Sequence, residues 1–210
     1  MENITQEQVE LIVKTMADTA IQNEAYFSEL DAVMGDADFG VSLASGFGAV
    51  ISEWDTYDRS SIGTFLLNIS SVITRNTGGC SGPVWGTLFM RCGMAFRDKN
   101  EISLEDIIGA LKSAIEGISK RGGAVLGDKT LLDALNVIVV SFETSSPTDS
   151  LPIVFKNAAD MAFETRETTK GWVAKRGRQS FTGDRSIGTY DPGIVAVGDM
   201  ALAICEALSK

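Results

Sequence analysis

Histidine is absent from all 210 positions of the chain. With it go the imidazole that activates a nucleophile, the imidazole proton relay and the imidazole metal ligand. Cysteine is scarce: Cys80, Cys92 and Cys205 are odd in number, sit in apolar or glycine-rich settings and show no paired metal-ligand spacing. That usage argues against a disulfide framework and predicts a reduced, cytoplasmic protein. No apolar run approaches the length of a membrane span, and the first seven residues carry neither the basic region nor the apolar stretch of a signal peptide. Positive charge is also in short supply, with 18 Lys and Arg against 28 Asp and Glu, a net charge of -10. Such a chain repels nucleic-acid backbones and anionic lipid, so neither nucleic acid nor membrane is expected as a partner. There is no GxGxxG, and no Gly-Lys-Ser/Thr follows any glycine-rich loop, so a Rossmann or Walker phosphate loop is excluded.

What remains is an ordinary globular composition, 44% hydrophobic and 22% charged, without a break that divides the chain. One domain over residues 1–210 is expected. Apolar residues at three- and four-residue steps predict helices over about 6–26, 39–54, 62–75, 83–96, 104–120, 131–143, 151–170 and 194–208. Thr5 with Gln8 reads as a capping box, and Ser103-Leu-Glu-Asp106 opens the fifth helix. The run Asn136 to Phe142 could pass for a buried strand, but it continues the leucine periodicity and has no partner strand, so it is assigned to helix. The fold class predicted is all-α, an eight-helix antiparallel up-and-down barrel or bundle.

Four connecting stretches stand out. Leu30 to Gly40 holds Asp31, Asp36 and Asp38 within eight residues, a set of hard oxygen donors suited to Mg²⁺. Asp38 would sit near the N-terminus of the second helix, where the helix dipole favours a phosphate. Asn76 to Pro83 is a Gly-rich loop feeding a helix N-terminus, either a steric helix connection or a phosphate cradle. Residues 121–130 and 171–190 are the third and fourth. Within the last, Arg185 between Gly183 and Gly188 is a phosphate candidate, whereas Lys175 to Arg178 reads as a solvated or subunit-facing patch. In an up-and-down bundle alternate loops share an end, so 27–38, 76–82, 121–129 and 171–190 should meet, with a nucleotide site there.

These motifs, Leu-Asp-x-x-x-Gly-Asp-Ala-Asp-x-Gly, Gly-Gly-Cys-Ser-Gly-Pro, Arg-Gly followed by Gly-Asp-Lys-Thr, and Gly-Asp-Arg-Ser-Ile-Gly with Asp-Pro-Gly, resemble the nucleotide-binding L subunit of dihydroxyacetone kinases. The resemblance implies ADP or ATP held at one end of a helical barrel by two Mg²⁺ ions. Asp31, Asp36 and Asp38 would be the metal ligands and, with Arg185, the residues of the phosphoryl-transfer step. Phe39, Gly40, Ser42, Gly79, Cys80, Ser81, Gly122, Thr130, Leu131, Arg185, Asp191, Pro192 and Gly193 would fall at nucleotide-contact positions. It further implies a separate K subunit that carries the ketose, a phosphotransferase-system M subunit where that system is the donor, and a homodimer. Phe39 stands where the family pattern has histidine, replacing a donor near the phosphates with an apolar ring. A variant acting on a longer ketose such as erythrulose, and a non-catalytic nucleotide-binding regulatory module, are the alternatives.

Overall fold

The computed structural model describes residues 3–210; residues 1 and 2 of the expected 1–210 domain, and of the segment read for a signal peptide, lie outside the described residues. The chain is almost entirely helical. α1 (Gln6–Gln22) begins at the capping box expected at Thr5 and Gln8. The first helix expected, 6–26, is however interrupted at Asn23, and a second segment, α2 (Glu24–Ala32), continues the direction of travel. Then follow α3 (Phe39–Ser52), α4 (Ile62–Asn76), α5 (Ser81–Phe96), α6 (Leu104–Gly122), α7 (Leu131–Glu143), α8 (Leu151–Lys170) and α9 (Pro192–Leu208). Residues 136–142 are helical, as expected from the leucine spacing.

Two features were not expected. Ile4–Thr5 pairs antiparallel with Glu101–Ile102 as a two-residue ladder, β1 with β2, which ties the chain's start to the α5–α6 connection. The stretch read as irregular between α8 and α9 contains a 3₁₀ segment, Arg178–Ser186, broken by the positive φ of Gly183.

Each helix packs on its sequence neighbour, and α9 closes the ring against α1 and α2. Treating α1 and α2 as one broken helix gives the eight-helix up-and-down arrangement. Its interior holds one large apolar core, with Phe47 of α3 edge-on to Trp85 and Phe89 of α5, and a smaller cluster of Leu104, Phe142, Val154 and Ala158. Space remains inside the ring: an apolar cavity of about 210 Å³, walled by residues such as Val13, Trp85, Phe142 and Met200, lies toward the end that carries β1 and β2. No helix among the described residues is long and apolar enough to cross a membrane.

α4 packs closely on α5, and glycine lets the start of α4 meet the end of α5. A Cβ on Gly63 would fall on the backbone of Arg97, 2.5 Å from its N and 2.6 Å from its Cα. Gly109, by contrast, is exposed in the middle of α6 with nothing within 4 Å of such a Cβ. Gly63→Ala should therefore destabilise by about 1–3 kcal/mol through overpacking. Gly109→Ala should stabilise by about 0.5–1 kcal/mol by restricting the unfolded chain. Urea denaturation of the two variants checks the pair, and equal effects would contradict this packing.

Candidate functional site

Asp31 is the side chain around which the acidic stretch folds. It lies on the last turn of α2 rather than in a loop, and it is only 8% exposed. Its Oδ2 accepts from the backbone N–H of Asp38 at 3.0 Å and of Phe39 at 3.3 Å. A buried carboxylate needs such donors, and a helix N-terminus needs acceptors; here one bond set satisfies both. Asp38 is itself the N-cap of α3 but makes no side-chain cap bond, which leaves its carboxylate free. Between the two exposed aspartates, Ala37 adopts φ 63°, the left-handed region that a residue with a Cβ seldom enters. Gly35 is required for a steric reason, since a Cβ would lie 2.7 Å from Asp31 Cγ.

The result is a cluster in which carboxylate oxygens of Asp31, Asp36 and Asp38 lie within 4.8 Å of one another. Desolvation raises the Asp38 pKa above the usual carboxylate value, and the neighbouring Asp36 and Asp31 charges raise it further. Like charges held so close favour a cation, and three hard oxygen donors match the chemistry of Mg²⁺. One cation of the protein already reaches the cluster: Arg178 Nε is 2.7 Å from Asp36 Oδ1. Residues 175–178 are exposed, as expected of a solvated or subunit-facing patch, but Arg178 also pairs with the cluster. Arg176 is engaged as well, with Asp128 at 3.2 Å and with the carbonyl of Gly123.

The four stretches meet at one end. Arg178 joins the 171–190 arm to the acidic loop, and Arg176 joins it to the 121–130 loop. A Cβ on Gly78 would lie 2.8 Å from Ser42 Oγ, so the Gly-rich loop abuts the first turn of α3. Gly193 approaches Leu131 so closely that a Cβ would lie 3.3 Å from its side chain, which sets the N-terminus of α9 beside that of α7. Thr130 caps α7 together with Asp133, and Asp191 caps α9 by accepting from Ile194 N at 2.9 Å. α5 differs: Cys80, its exposed N-cap, offers no side-chain acceptor, and Gly79 before it takes φ 59°. The first N–H groups of α5 therefore receive no bond from a side chain at the N-cap, at the same end of the bundle as the carboxylates.

The remaining expected contacts vary in what they offer. Gly40 is buried where α3 crosses α2, with a Cβ there only 2.7 Å from Ser28 N, so its role in this structure is close approach of two helices. Phe39 turns its ring toward the core, edge-on to the buried Phe27 with centroids 6.2 Å apart. Gly122 ends α6 in open space. Arg185 is exposed and donates only to the carbonyl of Thr182, at 3.4 Å, so the structure does not bring it to the carboxylates. Pro192 and Gly193 are buried in the first turn of α9.

Sequence reasoning overlooked Arg178, discounted with its basic neighbours, and Lys129, fully buried within Gly-Asp-Lys-Thr. Lys129 Nζ donates to the carbonyls of Ser186 at 2.7 Å and Trp172 at 3.1 Å, and burial lowers its pKa. Nearby, burial raises Asp191 to about 7 against its cap bond and the Lys129 charge. A raised carboxylate pKa means that the folded state keeps a proton the unfolded chain has released. The Asp191 contribution to stability therefore falls as pH rises from the ordinary 3.8 through about 7. Asp191→Asn retains the capping oxygen and has no proton to lose, so urea midpoints measured across that window should decline less than in the wild type. An unchanged pH profile would contradict this assignment.

Comparison with known proteins places the chain in a family. The DAK2 domain family matches residues 33–206. The ADP-binding subunit DhaL of the PEP-dependent dihydroxyacetone kinase of Escherichia coli is 34% identical over 173 residues, 82% of each chain. The L-erythrulose 1-kinase of Mycolicibacterium smegmatis is 32% identical over 205 residues, which is 95% of this chain and 35% of that enzyme. Among solved structures, the dihydroxyacetone kinase of C. freundii in complex with AMP-PNP and Mg²⁺ has the same fold, with a TM-score of 0.73 at 23% identity over 98% of this chain and 35% of that one. With most of its length matched by the family, and a DhaL subunit matched over 82% of its own length at this identity, the chain belongs to the DAK2 domain family as a DhaL-like member.

Proposed function

We propose that this chain, as a single L-type domain over 1–210, is the magnesium- and nucleotide-binding subunit of a dihydroxyacetone-type ketose kinase. It would pass a phosphoryl group to a ketose held on a separate K subunit. The observation that carries the reading is the carboxylate cluster of Asp31, Asp36 and Asp38 at the same end of the bundle as the N-terminus of α5, whose N-cap makes no side-chain bond. The kinase names of its relatives supply the reaction class, and the subunit names supply the expectation of a partner.

Phosphoryl transfer asks a protein for positioning and for charge stabilisation more than for acid–base chemistry, so a chain without histidine is suited to it. Bound Mg²⁺ would neutralise charge on the phosphate oxygens. Asp31, Asp36 and Asp38 would hold it, and the resemblance implies two such ions. The α5 N–H groups would donate to phosphate oxygens from one side and Arg178 would add positive charge from the other. Thr130, Leu131 and residues 191–193 would border the nucleotide where α7 and α9 begin. In a chain of net charge -10 these local donors are what makes a polyphosphate site tolerable.

A second reading, a kinase of the erythrulose type, is favoured by Phe39. Its ring packs on Phe27, so no side-chain donor stands where the family pattern has one. With a cognate K subunit and phosphoryl donor, kcat/KM for erythrulose should then exceed that for dihydroxyacetone; the reverse order would remove this reading. The donor, ATP or a phosphotransferase-system M subunit acting on held ADP, is decided by the small molecules released on heating the protein with and without EDTA. Stoichiometric ADP would indicate the M-subunit cycle.

The metal assignment has a direct test. At 100 times its dissociation constant, Mg²⁺-nucleotide should stabilise the wild type by about 2.7 kcal/mol. Asp36→Ala should lose both the magnesium-dependent stabilisation and turnover with the K subunit. Turnover retained in that variant would overturn Asp36 as a ligand.

A further inference from the structure

We propose that Lys129 is a positioning residue: its ammonium staples the 121–130 loop to both ends of the 171–190 arm, and so fixes where Arg178 stands against the carboxylate cluster. The inference rests on reading that cluster as a metal-nucleotide site. A lysine is almost never fully buried without a partner, yet Lys129 is 0% exposed and its ammonium forms no ion pair among the described residues. It is held by two carbonyls that lie far apart along the chain, those of Trp172 and Ser186. Its backbone sits at φ 63°, a conformation that a residue with a Cβ keeps only when its surroundings determine it.

The neighbouring bonds converge on the same function. Asp128 accepts through its backbone oxygen from Lys175 N at 3.0 Å, and through its carboxylate from Arg176 Nε at 3.2 Å and Val125 N at 2.9 Å. Ser186 Oγ accepts from Ala174 N at 2.9 Å, and Gly188 N donates to Lys170 O at 2.8 Å. The arm is therefore closed at its base and pinned to the 121–130 loop. Its outer part, between Gly177 and Gly183 with their positive φ, carries Arg178 to Asp36. Releasing the base would free Arg178 from its place without touching a carboxylate.

The experiment compares Lys129→Met, which keeps the aliphatic stem, with Gly63→Ala, which weakens the fold far from the loops. Two quantities are read at a temperature where both variants are folded. One is the rate of tryptic cleavage within residues 175–185, and the other is affinity for Mg²⁺-ADP. Lys129→Met should be cut in the arm at least about tenfold faster and bind at least about tenfold more weakly, while Gly63→Ala with a similar loss of Tm keeps wild-type values for both. Faster cleavage with unchanged affinity would reduce Lys129 to a structural role and overturn the positioning claim, as would wild-type values for both. If Lys129→Met does not fold, hydrogen exchange on the wild type decides. Amides of 125–130 and 172–188 should open as one unit, and independent exchange would overturn the staple. A wild type that binds no Mg²⁺-ADP defeats the metal-nucleotide reading instead, and the tryptic comparison then still judges the staple.

Discussion

The bond set between Asp31 and the first N–H groups of α3 is the interaction on which the rest of the site depends. It takes a carboxylate that would otherwise be costly to bury and makes it the acceptor for a helix N-terminus. Because Asp31 is spent on that role at one oxygen, the loop between α2 and α3 is short, and Ala37 is forced into the left-handed region. Asp36 and Asp38 are then presented beside Asp31. Their mutual repulsion is sustained by the fold and offset at Asp36 by Arg178.

Ring closure decides what surrounds that cluster. With the chain running up and down around one core, the N-termini of α3, α5, α7 and α9 face the same end. Three of them are satisfied by side chains, from Asp31, Thr130 and Asp191, and α5 is not. The asymmetry matters because an uncapped helix start next to a metal-suited cluster is where a phosphate gains most. Three cations gather at the same end: Arg178 meets Asp36, Arg176 meets Asp128, and Lys129 is buried under the arm.

Much of this could be read from residues. Strong capping chemistry and clean periodicity made α1's start, α6, α7 and α8 legible, and the glycine-rich loops with Asp31, Asp36 and Asp38 marked the end where the four stretches meet. The break at Asn23 was not legible, because no Gly or Pro announces it and the apolar spacing runs through it. Placing Asp31 on a helix was missed for the same reason. The β1–β2 ladder is too short for any alternation pattern, and the 3₁₀ segment at 178–186 is polar with a glycine at its kink. Arg178 and Lys129 were overlooked because a charge in sequence reads as solvated until a partner distant in the chain is known. Asp36 is 142 positions from Arg178, and Ser186 is 57 from Lys129.

Paramagnetic NMR tests most directly whether the four distant stretches form one cation-nucleotide site, as proposed. Adding Mn²⁺-ADP to the ¹⁵N-labelled protein should broaden the amides near 36–42, 78–84, 122–131 and 176–193 together, and spare those around Ile4, Ile102 and Phe142 at the other end of the ring. Broadening confined to the acidic loop, or centred on another face, would contradict it.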